Sequence, residues 1–301
     1  PPCGVCGNAQ SAQSGTPLVR IQNSLFAAMV CLDLWAPRLQ AGDLSWAEDF
    51  SSDPVVAGRF HVPAGHNGSR FTYNGAGPNL TVHYDTMLPT AWYVRPIDVT
   101  SQRTLGPCDD FQFAVTFRVR SAGFFAHPGH FAQIGWALLN STTTGTDRTG
   151  GGGGPYAFDV VSFDYFPNVS PIFGGPTLGP VMIHSNLGQG FFGAIEFSFG
   201  DETEIDAIAG DAGVSLDTTY TASVSYHGGE QAATLRLFQG ATAQNINADG
   251  AGGAGGFDSD PATTQTFVFS AASFSLDSFA LTAWRDTFNA SGSSVTADVD
   301  I

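Results

Sequence analysis

From Gly42 onward the chain keeps returning to one pattern, in which apolar and polar residues alternate with a period of two and turn residues interrupt the alternation. In residues 111–120 the odd positions read Phe, Phe, Val, Phe, Val and the even positions Gln, Ala, Thr, Arg, Arg. Successive side chains of a strand point to opposite faces, so this is a strand with one buried and one wet face. The same alternation runs through Tyr220, Ala222, Val224 and Tyr226, through Ile195, Phe197 and Phe199, and through Val295, Ala297, Val299 and Ile301. Further strands are expected over 70–74, 80–84, 92–95, 131–139, 158–166, 181–184, 234–238, 266–269 and 274–284. No stretch of a dozen residues carries a helical period. The pattern therefore predicts an all-β, two-sheet antiparallel jelly-roll sandwich.

Composition supports many short strands. The 37 glycines and 17 prolines punctuate the chain, and 25 phenylalanines supply bulk for a core without help from helices. The tracts 150–154 and 248–256 are nearly all glycine and alanine. They read as surface loops inside one domain, because strand patterns resume on both sides. The formal charge is −16, and all eleven basic residues are arginine. A chain this acidic repels phosphate backbones and anionic lipid, which excludes nucleic acid as the expected partner.

The N-terminal end reads differently. Residues 25–35, LFAAMVCLDLW, have the length of a signal-peptide core and are too short to span a bilayer. Arg20 precedes them, and Leu39-Gln40-Ala41 offers a cleavage site before Gly42. The expectation is upstream sequence plus a secretory leader over 1–41, a single domain over 42–301, a secreted or cell-surface location, and no membrane insertion once the leader is removed. A start codon at Val19 would give a compact leader. The last strand runs to Ile301, so the domain is expected to continue beyond it. Of the four cysteines, Cys3 and Cys6 have a CxxC spacing but no second pair, Cys31 lies in the leader, and Cys108 stands alone in the body. Without the leader, no bridge could form within the chain.

Two kinds of acidic cluster carry candidate chemistry. In an extended Asp201-Glu-Thr-Glu-Ile-Asp206, the carboxylates of Glu202, Glu204 and Asp206 would share a face about 6.5–7 Å apart. Glycoside hydrolysis requires a pair of carboxylates flanking the sugar bond. Flanking glycines at 200 and 210 equally allow an exposed acidic loop. Asp109-Asp110 and Asp258-Ser-Asp260 offer the hard oxygens that calcium prefers, and the competing role for each is turn chemistry. His127-Pro-Gly-His130 reads as a surface turn. Five Asn-x-Ser/Thr triplets start at Asn67, Asn79, Asn140, Asn168 and Asn289.

Four stretches carry a likeness to known proteins: Trp46-Ala-Glu-Asp-Phe-Ser-Ser-Asp-Pro54, Phe131-Ala-Gln-Ile-Gly-Trp-Ala-Leu-Leu-Asn140, Phe158-Asp-Val-Val-Ser-Phe-Asp-Tyr-Phe-Pro167 and the segment 274–286. In their order they resemble the concanavalin A-like lectin/glucanase superfamily, especially laminin-G-like domains of secreted bacterial proteins. The resemblance implies a curved sheet whose concave face holds carbohydrate, often with calcium nearby. Trp92, Tyr93, Trp136, Tyr165 and Arg95 are then the expected contributors, with core packing as the alternative for each aromatic. Glu204-Ile-Asp206 resembles the start of the Glu-x-Asp-x-x-Glu strand of laminarinase-type glucanases, but Ala209 stands where the last Glu belongs. A non-catalytic carbohydrate-binding or adhesion module is therefore the leading expectation. A structural domain that binds a cell-surface protein comes second, and a glycoside hydrolase third.

Overall fold

The structure, a computed structural model, describes residues 18–20, 45–77, 79–98, 103–122, 133–146, 159–166, 177–183, 197–198, 214–244, 265–268, 274–285, 294 and 296–301. They form two sheets. The first runs in the order β13 (Thr242–Ala243), β12 (Ala232–Gln239), β11 (Thr219–His227), β6 (Phe111–Ala122), β16 (Thr296–Asp300), β4 (Asn79–Asp85) and β3 (Phe71–Asn74). β14 (Gln265–Val268) also pairs with β12, while β1 (Leu18–Arg20) pairs with β6 and with β2 (Ser45–Trp46). The second sheet runs β10 (Phe197–Ser198), β9 (Thr177–Ile183), β8 (Val160–Phe166), β7 (Ile134–Leu139), β15 (Ser278–Ala283) and β5 (Ala91–Pro96). Pairing is antiparallel throughout except for the two pairings of β1. Among the described residues, no helix is long and apolar enough to cross a membrane.

The first sheet follows its sequence pattern. Phe111, Phe113, Val115, Phe117 and Val119 of β6 are buried, while Arg118 of the alternate set reaches the other face and pairs with Asp300 at 2.7 Å. Tyr220, Ala222, Val224 and Tyr226 of β11 and Leu80, Val82 and Tyr84 of β4 add to the same inward layer. Opposite them lie Tyr93, Ile134, Trp136, Leu138, Val161, Phe163, Tyr165, Phe279 and Leu281 of the second sheet, and together the two layers make the core. Burying each large side chain is worth about 1.5–3 kcal/mol, which makes this layer the main source of stability.

The second sheet departs from the simple alternation. Every residue of β7 and β15 is buried. The face turned away from the core carries a second apolar cluster: Trp92, Val94, Ala137, Leu139, Val160, Ala280 and Trp284. Burial on both faces removes the polar half of the period.

Two features concern the N-terminal segment and its cysteines. Leu18–Arg20 lies in the first sheet as β1. Cys108, expected to stand alone, is disulfide-bonded, and its partner lies outside the described residues. Residues 25–35 lie outside the described residues as well.

Candidate ligand-binding face

The outward face of the second sheet carries one polar row in an apolar surround. Strand register places Trp92 opposite Thr282, Thr282 opposite Gly135, Gly135 opposite Asp164, and Asp164 opposite Gly179. In parallel on the next row stand Val94, Ala280, Ala137, Ser162 and Val181. Polarity on this face is therefore concentrated around a single carboxylate.

Asp164 is fully buried and well held. Gln133 donates from Nε2 to Oδ1 at 2.9 Å, and Ser162 donates from Oγ to Oδ2 at 2.6 Å. The carboxylate leans over Gly135, and this explains the glycine. A Cβ there would collide with Asp164 Oδ1, and would come within 2.9 Å of the Phe163 carbonyl and 3.2 Å of Thr282 Oγ1. Among the described residues, Thr282 Oγ1 and Trp92 Nε1 are buried with no hydrogen-bond partner, a state that Trp46 Nε1, Trp136 Nε1 and Asn79 Oδ1 share elsewhere in the fold. Such orphaned groups cost about 1–3 kcal/mol each, and native structures contain few of them. Here two stand at one end of the same row.

The aromatic end of the row is built around Trp92. It meets Trp284 edge-on at 6.1 Å, and the His66 imidazole lies against its ring at 4.6 Å. The Trp92 backbone N–H donates to His66 Nδ1 at 3.1 Å, so Nδ1 must be unprotonated. Burial lowers the His66 pKa from its ordinary value of 6.5. The folded protein thus binds this proton more weakly than the unfolded chain does. The resulting stability is present above pH 6.5 and is lost as pH falls through the lowered folded value. In thermal melts between pH 7.5 and 5, the wild type is expected to lose more stability than His66→Gln; parallel curves would contradict this.

The residues expected to form a sugar platform do not gather on this face. Tyr93, Trp136 and Tyr165 belong to the inter-sheet core, and Trp136 stacks on Phe163 at 4.7 Å with the planes 12° apart. Arg95 is bound elsewhere: its guanidinium lies 3.9 Å from the Trp46 ring centroid and donates to Glu48 Oε2 at 3.3 Å, while Arg59 grips the same carboxylate from Nε at 2.6 Å. Of the five, only Trp92 points to the polar row. The reason is parity: the one-residue neighbours of Trp136 and Tyr165, namely Gly135 and Asp164, face the other way. Sequence reading missed Asp164, Gln133, Ser162 and Thr282 for this reason. A carboxylate in the apolar run Val-Val-Ser-Phe-Asp-Tyr-Phe was the available signal.

The other candidates resolve as follows. Asp109 accepts from the Gly106 N–H at 2.7 Å within its own turn, and Asp110 accepts from the Gly228 N–H at 2.8 Å, tying two segments remote in sequence. Among the described residues, no group of three His, Cys, Asp or Glu side chains could hold a metal ion. Glu202, Glu204, Asp206, Asp258, Asp260, His127 and His130 lie outside the described residues. Asn140, the first residue of a glycosylation triplet, is buried, and its amide donates to the Ser275 carbonyl at 2.9 Å.

Two sheets, antiparallel in every pairing except those of β1 and with β16 inserted between β4 and β6, define an antiparallel β-sandwich. Peanut lectin solved with a nine-residue peptide is similar at 9% identity and a TM-score of 0.44, over 83% of this chain and 94% of that one. A legume lectin-like domain from Entamoeba histolytica gives 8% identity and 0.43, over 83% and 92%. A family 7 alginate lyase solved with product gives 11% identity and 0.40, over 78% and 82%. No protein-family model and no curated protein matches the chain. The sheet order carries the assignment of the fold.

Proposed function

We propose that this chain is a secreted or cell-surface, non-catalytic carbohydrate-binding module, and that its ligand is held by the row Trp92, Thr282, Gly135 and Asp164. The observation that carries this reading is the pair of buried, unpartnered polar atoms, Thr282 Oγ1 and Trp92 Nε1, beside a hydrogen-bonded carboxylate. A sugar hydroxyl both donates and accepts. It can receive the indole N–H and exchange a hydrogen bond with the threonine. Trp92, Thr282 and Asp164 are at most 2% exposed, so a ligand reaches the row only by displacing what covers it, and binding then replaces orphaned groups with satisfied ones.

The non-catalytic part is a proposal: Asp164 stands on this row, and the carboxylates of Glu202, Glu204 and Asp206 lie outside the described residues. The disulfide at Cys108 supports an oxidising compartment.

Calorimetry of the full chain against neutral oligosaccharides of glucose, galactose and mannose tests the proposal. Thr282→Val and Trp92→Phe keep shape but remove hydrogen-bonding capacity, and each is expected to weaken binding by roughly tenfold. Failure of every oligosaccharide to bind, or unchanged affinity in both folded variants, overturns the assignment. New reducing ends appearing in the same mixtures would overturn its non-catalytic half.

A further inference from the structure

We infer that the segment containing Leu18–Arg20 is a retained, covalently stapled part of the domain, not a leader that is cut away. Two independent observations carry this. The first is the unfinished edge of β6. β16 pairs along only one end of this strand, at Arg118, Val119, Ser121 and Ala122. Nearer the beginning of β6 its neighbour is β1, with Leu18 opposite Gln112, Val19 opposite Phe113 and Arg20 opposite Ala114. On its far side β1 pairs with β2, Leu18 opposite Ser45 and Val19 opposite Trp46. β1 thus fills, early in β6, the place that β16 fills later.

Cutting before Gly42 would remove that strand. It would leave the backbone of Gln112–Ala114 open on one side, directly over the buried Phe111, Phe113 and Val115. An open edge above a hydrophobic layer invites pairing with another chain. β2 would lose its β1 partner as well, and its Trp46 packs edge-on against Phe60 and Phe279 and supports Arg95. Residues 21–44 between the two parallel strands are long enough for the crossover that such a pair requires.

The second observation is chemical. Cys108 stands three residues before β6 and is disulfide-bonded. Every other cysteine of the chain, Cys3, Cys6 and Cys31, belongs to the first 31 residues. An intrachain bridge therefore ties the N-terminal segment to the foot of the strand that β1 pairs with. Forming it removes two electrons and two protons from two thiols, which a disulfide oxidant of an oxidising compartment takes up as it is reduced to thiols.

Peptide mapping of the full chain secreted from an oxidising compartment tests this, with free thiols alkylated before digestion. The expected result is a Cys108 peptide joined to a peptide from residues 1–31, released on reduction, and a mature N-terminus upstream of Leu18. Cys108 recovered in alkylated form, or an N-terminus at residue 21 or later, overturns the inference. As a second readout, deletion of residues 1–20 is expected to lower Tm by roughly 5–10 °C. A deletion variant that melts with the full chain overturns it too, and the map decides if that variant does not fold.

Discussion

Arg70→Met is expected to destabilise the protein by about 3–5 kcal/mol, the largest loss from any single side chain on the edge of the sandwich. Arg70 is 1% exposed, yet no carboxylate is among its hydrogen-bond acceptors. Its guanidinium donates instead to four carbonyls: His83 at 3.0 Å, Pro89 at 2.8 Å, Ala283 at 3.1 Å and Asp85 at 3.2 Å. His83 and Asp85 belong to β4 in the first sheet, and Ala283 ends β15 in the second. One planar fork therefore closes the sandwich at this end, together with the turn that leads into β5.

Burial pulls the Arg70 pKa down, with Tyr84 and Asp85 opposing, but an arginine keeps its charge at any ordinary pH. Methionine fills similar volume and donates nothing, so the four carbonyls lose their common donor. Lysine reaches from a single point with three donors and is expected to recover only part of the loss. Urea denaturation reads this as a lower midpoint with an unchanged slope. A methionine variant within about 1 kcal/mol of wild type would show that water replaces the guanidinium at no cost.

Trp136→Ala is expected to cost about 3–5 kcal/mol, and any ligand bound by the folded fraction should keep its affinity. Trp136 is fully buried, stacks on Phe163 at 4.7 Å and lies 5.0 Å from Phe117, with all three rings between the sheets. Its removal leaves a large cavity in the layer that joins the two sheets. Trp92→Phe should behave in the opposite way, with a modest effect on folding and a large one on binding. The two tryptophans stand on opposite faces of one sheet. Calorimetry beside denaturant melts separates them: Trp136→Ala weakening affinity while remaining fully folded would place it at the ligand after all.

How much of this was legible beforehand follows from what each face meets. On the first sheet the alternation of β6, β11 and β16 predicted the inward apolar residues, since water on one side forces polar residues there. On the second sheet β7 reads Ile-Gly-Trp-Ala-Leu-Leu, with neither face marked, and the aromatic residues were the visible feature. They proved to be mostly core. In β7 and β8 the polar row lay one position away from Trp136 and Tyr165, in two of the stretches that carry the superfamily resemblance.

The sequence by itself therefore determined an all-β sandwich, the approximate extent of most of its strands and the inward residues of the first sheet, because a period of two is a local property. The tertiary structure decided what depends on distant partners. Arg70 after Gly-Ser reads as an exposed charge until the fold brings in carbonyls 13, 15, 19 and 213 residues away. Asp164 becomes the centre of a row only through the register of four strands. β1 joins the sheet only because β16 leaves part of β6 unpaired. Hydrogen bonds and register between remote segments settle these points, and no window of neighbouring residues contains that information.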